Sequence, residues 1–438
     1  MRKKIHQQIF WYCNLGIAFM LPVWGKLVPT IIAILILNWL ISGDYIRTVP
    51  TLFKNKSRRN TLLFAGLYVL YLLGLLNTSD FIYARFDLEV KLSLLIFPLV
   101  FATADVGFLN AKHLRLLMQV YLGGCLLGSL LLLGHAFTLW RDGVEGAFYY
   151  MKLSWYVHST YFAMYLNFAI AFIITELLTH HVTRVTHHVS RVTHHVSRIT
   201  HQLTRIAHHL TRITHHLTRI TYCVLLAWFF VFIFLLSSKM GLISMGLIAT
   251  LGAAELIFRQ KKIFLGLGLL ILFMMCMRAG LHVFSGTSAR VVHSTETLTG
   301  SAPPETSKST SDRVEIWKAS LGIIKSNLLT GVGTGDVKDI LIAKYKEKNI
   351  EGALEYKLNA HNQYIQTFIT LGLPGIVTLL LMLILPMILA YRGRYLLYFV
   401  FLLLFAINIL TESMFETQAG VVWYAFFNVI LFVTHRDS

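Results

Sequence analysis

Residues 222–281 read YCVLLAWFFVFIFLLSSKMGLISMGLIATLGAAELIFRQKKIFLGLGLLILFMMCMRAGL. Three apolar runs, 222–238, 241–258 and 263–281, are broken by Ser237-Ser238-Lys239 and then by Arg259-Gln260-Lys261-Lys262. Each run is close to the length that spans a hydrocarbon core as a helix, so the chain crosses, turns and crosses back. The rest of the sequence carries the same signal. Hydrophobic residues make up 56% and charged residues only 14%, and the mean hydropathy is +0.63, values that exclude an ordinary soluble domain. Similar runs near 9–24, 27–42, 61–77, 90–105, 114–139, 157–178, 373–390, 394–410 and 417–434 bring the expected total to about 12. The expected fold is an all-α polytopic membrane protein with a large extracytoplasmic helical loop between helices 9 and 10.

The basic residues give the sides, because short cytoplasmic loops retain Lys and Arg. With the N-terminus inside, the inner segments hold Arg2, Lys3 and Lys4, then Arg47 to Arg59, Lys112 and Arg115, Arg259 to Lys262, Arg392 and Arg394. The short outer loops hold only Lys26, Arg85, Arg141, Lys152 and Lys239. This bias predicts an even number of spans, both termini cytoplasmic, and the long polar stretch after the ninth span outside. The net charge of +18 is then a topology signal at an anionic inner leaflet, and no nucleic-acid partner is expected. Cys13, Cys125, Cys223 and Cys276 all lie in apolar spans without CxxC spacing, so neither a disulfide framework nor a zinc site is indicated. The first span lacks a small-residue cleavage pattern, and no removed signal peptide is expected.

Five segments follow: spans 1–6 over 1–178, an insertion at 179–221, spans 7–9 over 222–281, a periplasmic loop at 282–362, and an interfacial helix with spans 10–12 over 363–438. The insertion holds six heptads, HHVTRVT, HHVSRVT, HHVSRIT, HQLTRIA, HHLTRIT and HHLTRIT, running from 180 to 221. Their apolar residues alternate three and four apart, a helical seam period. The eleven histidines have no acidic or cysteine partner, so an expanded tandem repeat explains them better than a metal site.

The outer loop carries the chemistry, since a polar stretch of this length is too long to be mere connection. Ser285 to Ser311 reads as a Ser/Thr-rich linker. Asp312 and Glu315 suggest a helix start, with Val314, Trp317, Leu321 and Ile324 at helical spacing and Arg313 in the first turn. Gly331-Val332-Gly333-Thr334-Gly335-Asp336 lacks the Gly-Lys-Ser/Thr of a nucleotide loop and reads as a turn. A second helix is expected over about 337–357. Asn362 suits a helix cap, and Gly372-Leu373-Pro374-Gly375 breaks the periodicity before the tenth span. His361 thus lies at the outer membrane boundary.

Ser311-Asp312-Arg313-Val314-Glu315-Ile316-Trp317, the GVGTGD turn, and Ala360-His361-Asn362-Gln363-Tyr364 with Thr370-Leu371-Gly372-Leu373-Pro374-Gly375 resemble the O-antigen ligase and polymerase family. The resemblance implies twelve helices with a large periplasmic loop before the last three. It also implies a metal-independent, cofactor-free glycosyltransferase of the bacterial inner membrane. Such an enzyme moves a glycan from undecaprenyl diphosphate to an acceptor hydroxyl, of lipid A core or of another glycan. Arg313 matches the family's loop arginine, one of two that hold the diphosphate, and its planar fork suits that contact. At the second arginine position this sequence has Lys239, which keeps the charge and loses the fork. His361 matches the loop histidine, the family's base or acceptor-positioning group, with a reference pKa near neutrality.

Plainer readings compete. His361 also suits a helix cap, Arg313 pairing with Glu315 or headgroups, and Lys239 interfacial snorkelling. Arg290, Arg278, Tyr156 and His158 face outward at the same level as candidate donor or acceptor contacts, as do Glu412 and Glu416 in the last outer loop. A polymerase of the same family is the nearest alternative function. A lipid transporter or flippase is a further one, although such proteins carry ionisable groups at mid-membrane, where these spans are nearly charge-free. A non-catalytic partner in envelope glycan assembly is a third.

Overall fold

A computed structural model describes residues 2–52, 54–179, 198–284, 286–289, 291–292 and 308–435, and among them every regular element is helical. The main helices are α1 (Arg2–Val23), α2 (Val28–Ser42), α3 (Gly66–Leu73), α4 (Phe81–Lys91), α5 (Ser93–Thr103), α6 (Ala111–Arg141), α7 (Ser159–Thr179), α8 (Arg198–Leu235), α9 (Lys239–Ala254) and α10 (Ile263–Val283). They are followed by α11 (Lys308–Ser326), α12 (Val337–Glu347) and α13 (Glu351–Glu355), which lie in the segment expected to be the outer loop, and by α14 (Gln363–Arg392), α15 (Leu396–Asn408) and α16 (Gln418–His435).

Among the described residues, eight helices are long and apolar enough to cross a membrane, against the twelve spans expected. Three shorter apolar helices, Ser93–Thr103, Leu396–Asn408 and Gln418–Thr434, coincide with three further expected spans. The expected first span lies in α1, whose polar His6, Gln7 and Gln8 lower its mean hydropathy.

The centre of the bundle is aromatic. Nearly all of α7 is buried, and α16 buries Val421 to Phe427 against it. Trp423 sits 4.8 Å from Phe401 and donates its indole N–H to Tyr121 Oη at 3.1 Å. Tyr121 in turn donates to Tyr165 O at 3.0 Å, so the ring polar groups are satisfied without water. The periphery differs. In α10 only Gly266 and Gly280 are buried, while Phe264, Leu272, Met274 and Met275 are exposed, an apolar surface that suits hydrocarbon surroundings.

The outer segment has a smaller core of its own. Ile316, Ala319, Ile323, Val337, Leu341, Tyr345 and Ala353 pack together with Ile369 of α14. The helix expected to start at Asp312 begins at Lys308, leaving Asp312 and Arg313 inside it. The helix expected over 337–357 is two, α12 and α13, separated by a turn in which Asn349 takes φ 54°. The interfacial helix and tenth span are one helical run broken at Gly372, at φ 63° and ψ −155°. In the heptad insertion, the backbone from Arg198 continues unbroken through α8 into the seventh span. Residues 180–197 lie outside the described residues, as do Arg290 and most of the linker.

The glycine-rich turn is a clasp. Val332 N–H donates to Ile369 O at 2.9 Å and Gly333 N–H to Thr370 O at 3.1 Å. Two backbones cross here at closest approach: a Cβ on Gly331 would lie 2.4 Å from Thr370 O, and one on Gly372 2.5 Å from Leu329 O. Both residues take positive φ, which only glycine adopts without penalty. On its other side the turn grips the loop before α4. Asp336 accepts from Ser79 N–H at 2.9 Å and Asp80 N–H at 2.7 Å, and Thr334 Oγ1 donates to Tyr71 O at 2.7 Å. The expected turn thus also docks its segment on the bundle.

Candidate functional site

The Ala360-His361-Asn362-Gln363-Tyr364 run is built almost entirely from backbone satisfaction. Ala360 is fully buried; its carbonyl accepts from Trp317 Nε1 at 3.0 Å and its N–H donates to Gln366 Oε1 at 3.0 Å. Asn362 caps α14 by accepting from Ile365 N–H at 3.1 Å, a cap worth about 1 kcal/mol. Gln363 N–H donates to Ile409 O at 2.9 Å, its Oε1 accepts from Phe415 N–H at 2.7 Å, and Asn362 N–H donates to Ser413 Oγ at 3.2 Å. These bonds stitch the start of α14 to the 409–416 loop. His361 is held at φ 45° with its N–H on Asn359 Oδ1 at 2.9 Å.

The His361 ring meets Glu412. His361 Nδ1 lies 3.4 Å from Glu412 Oε2, and Arg313 Nη2 donates to Glu412 Oε1 at 2.9 Å. One carboxylate thus holds both residues, drawn from near the two ends of the described 308–362 segment. Burial alone would push the Glu412 carboxyl up, but the His361 contact and the charges of Arg313, His361 and His158 hold it below the ordinary glutamate range. An ionised carboxylate can only accept. Bonding to it calls for a proton on His361 Nδ1, which both the imidazolium and the neutral tautomer with its lone pair on Nε2 supply. Arg313 spends one of its guanidinium N–H groups on Glu412, and its side chain is partly exposed.

Both residues line a cleft of about 670 Å³ whose other walls carry His158, Tyr150, Asp312, Glu351 and Tyr356. His158 also lines a second hollow of about 280 Å³, which is mostly apolar and formed by Trp24, Tyr156, Tyr161, Tyr165 and Val422. The two hollows share His158 at their junction.

Tyr156 contributes its ring to the apolar hollow, while its hydroxyl lies 2.9 Å from Pro22 O and 3.3 Å from Gly128 O, so its polar end is engaged by the bundle. Lys239 opens α9 just after Ser237, at φ 49°, and Ser238, which caps that helix by accepting from Gly241 N–H at 3.1 Å. It is at the bundle rim and is not among the described residues lining either hollow. Arg290 lies outside the described residues. Glu416 faces inward to the buried Lys91 at 3.1 Å, beside Asp87, and so ties α4 to the loop that carries Glu412.

Residues 224–380 match the family model of O-antigen ligase. Over that stretch, a little more than a third of its length, the chain is similar to the O-antigen ligase family. No curated protein matches the chain. The match contains Lys239, Arg313 and His361 and stops before Glu412. Together with the apolar helices, the match supports a membrane protein of the glycan ligase or polymerase type. The O-antigen ligase domain thus supplies the arginine and histidine, and the following outer loop supplies the carboxylate that brings them together. Sequence reading named Glu412 as a contact but not as this link. The three residues are 51 and 99 positions apart, and no linear spacing encodes the convergence.

Proposed function

We propose that this protein is an O-antigen ligase-like glycosyltransferase, moving a glycan from undecaprenyl diphosphate to an acceptor hydroxyl on the periplasmic face of the inner membrane. The observation that carries the reading is the convergence of Arg313 and His361 on Glu412 over a polar cleft that adjoins an apolar hollow. A lipid-linked sugar diphosphate needs both surroundings, hydrocarbon for its tail and cations for its headgroup. In the transfer the acceptor oxygen bonds to the anomeric carbon, the bond from that carbon to the diphosphate oxygen breaks, and the hydroxyl proton passes to His361 Nε2. Arg313 meets the charge that grows on the leaving diphosphate, the kind of stabilisation that contributes most when donors are pre-positioned. Glu412 keeps the imidazole in the useful tautomer and offsets its charge once protonated, a positioning role. Lys239 is proposed as a second cation near the diphosphate, and His158 as a headgroup contact at the junction. The basic loops support cytoplasmic termini and about twelve crossings, with the outer segment facing the periplasm.

The test is a strain in which the gene is disrupted and complemented by native, His361→Ala or Arg313→Ala protein, read by envelope glycan gels. The expected result is that native protein restores polymer on the lipid core and neither variant does, although both insert. Single-unit decoration in the disrupted strain points instead to the polymerase of the same family. Normal attachment with both variants contradicts the catalytic assignment.

A further inference from the structure

Three charged side chains sit inside the bundle with no part in the reaction above. Lys91 is fully buried and Asp87 nearly so, and neither they nor Glu416 line the cleft or the apolar hollow. One ammonium serves two carboxylates: Lys91 Nζ donates to Asp87 Oδ1 within α4 and lies 3.1 Å from Glu416 Oε1 in the 409–416 loop. Such a cluster is a poor source of stability, because taking the ions out of water costs about as much as their attraction gains. What it supplies is a fixed register, where an apolar contact would tolerate several.

That register lies between the two halves of the candidate site. At its N-terminal end α4 belongs to the clasp. Asp80 caps the helix by accepting from Ile82 N–H at 2.9 Å, and its own N–H is held at 2.7 Å by Asp336 of the segment that carries Arg313 and His361. At the other end, 11 residues on and about 16 Å along the helix, Lys91 holds Glu416. That residue closes the short 3-10 turn Met414–Glu416, which follows Glu412. A second link runs through Tyr71, whose carbonyl accepts from Thr334 Oγ1 of the clasp at 2.7 Å and whose ring centre is 4.8 Å from Lys91 Nζ. Ala84, Asp87, Val90 and Lys91 are the buried residues of α4 and share one face, so a roll of the helix would disturb both ends.

We propose, on the transferase reading above, that Lys91 is a positioning residue: through Glu416 it sets Glu412 against Arg313 and His361, with α4 as the strut between the clasp and the 409–416 loop. The loop has other anchors on its far side. Gln363 Oε1 accepts from Phe415 N–H at 2.7 Å and Ser413 Oγ from Asn362 N–H at 3.2 Å, so without the ion pairs the fold survives while Glu412 loses its alignment.

Lys91→Met alone leaves two buried carboxylates without a counter-charge and is expected to insert poorly. The test therefore replaces the whole cluster in the full-length protein, with Asp87→Leu, Lys91→Met and Glu416→Met together. The expected result is melting in detergent at or above the native temperature, kcat in vesicles about ten-fold lower, and KM for a polyprenyl-diphosphate donor within about two-fold of native. In a Glu412→Ala background the same three substitutions are expected to lower kcat by less than about two-fold, because the group they position is gone. Amide hydrogen exchange across 409–416, read by mass spectrometry, is expected to quicken about ten-fold in the triple variant. A native kcat in that variant, an undiminished loss in the Glu412→Ala background, or unchanged exchange overturns the positioning role. Faster exchange in the triple variant of a protein whose native form transfers nothing keeps the anchor on Glu412 and removes the transferase reading alone.

Discussion

The clasp at Gly331–Asp336 and the cleft at Arg313–His361 belong to the same outer segment and are held by opposite means. The clasp is backbone against backbone, with Gly331 and Gly372 crossing where no side chain fits and Asp336 receiving two main-chain N–H groups. The cleft is side chain against side chain, with its three central groups joined through the Glu412 carboxylate. The contrast separates placement from chemistry. Crossing backbones fix where the segment lies on the bundle, and partly exposed polar groups line the cleft.

Substitutions should divide along that line. His361→Ala has the largest expected effect, a loss of about 10²–10⁴-fold in transfer rate for a missing proton acceptor, with thermal melting unchanged in detergent. Gly331→Ala acts on stability instead. Its left-handed backbone costs about 1–3 kcal/mol, to which overlap with Thr370 O is added, so melting falls and the surviving folded fraction keeps its specific activity. Glu412→Gln keeps the shape and removes the charge; transfer drops about 10–100-fold, as for other partners that orient a reacting group. Asp336→Ala strands two N–H groups and costs about 1–3 kcal/mol, visible as a lower melting temperature with native kinetics. A clasp variant that lost activity without losing stability would break the division.

The smallest expected effect concerns pH. The Glu412 carboxyl is held below its ordinary range, so its contribution to stability is complete above the usual glutamate value of about 4.3 and is lost only as pH falls through the lower folded value. The melting difference between native protein and Glu412→Gln is therefore expected to be flat from about pH 7 to 5 and to close below about pH 4. A difference that vanished near neutrality would contradict the assigned direction.

Much of this architecture could be read from the chain because membrane helices announce themselves by composition. The runs around 222–281, the break at Gly372 and the cap at Asn362 all follow from local rules. The turn character of GVGTGD was legible too, but its partners were not: Tyr71, Ser79 and Asp80 lie over 250 residues away. Span lengths were less legible, since Ser93–Thr103 and Leu396–Asn408 are short and polar residues blur the start of α1. In the site, Arg313 and His361 were legible through family resemblance. Their common partner was hidden because ion pairing across 51 and 99 residues is set by tertiary packing. The buried Lys91 pairs with Asp87 one helical turn away, a local spacing, but reaches Glu416 only through the fold.

The most direct measurement of the central claim is a double-mutant cycle on transfer rate in reconstituted vesicles, comparing Arg313→Ala, His361→Ala and the pair. Two residues acting on one step through a shared carboxylate lose together, so the double variant should be no more than about three-fold slower than the slower single one. Losses that multiply, or a single variant at the native rate, would mean that Arg313 and His361 do not form one reaction centre.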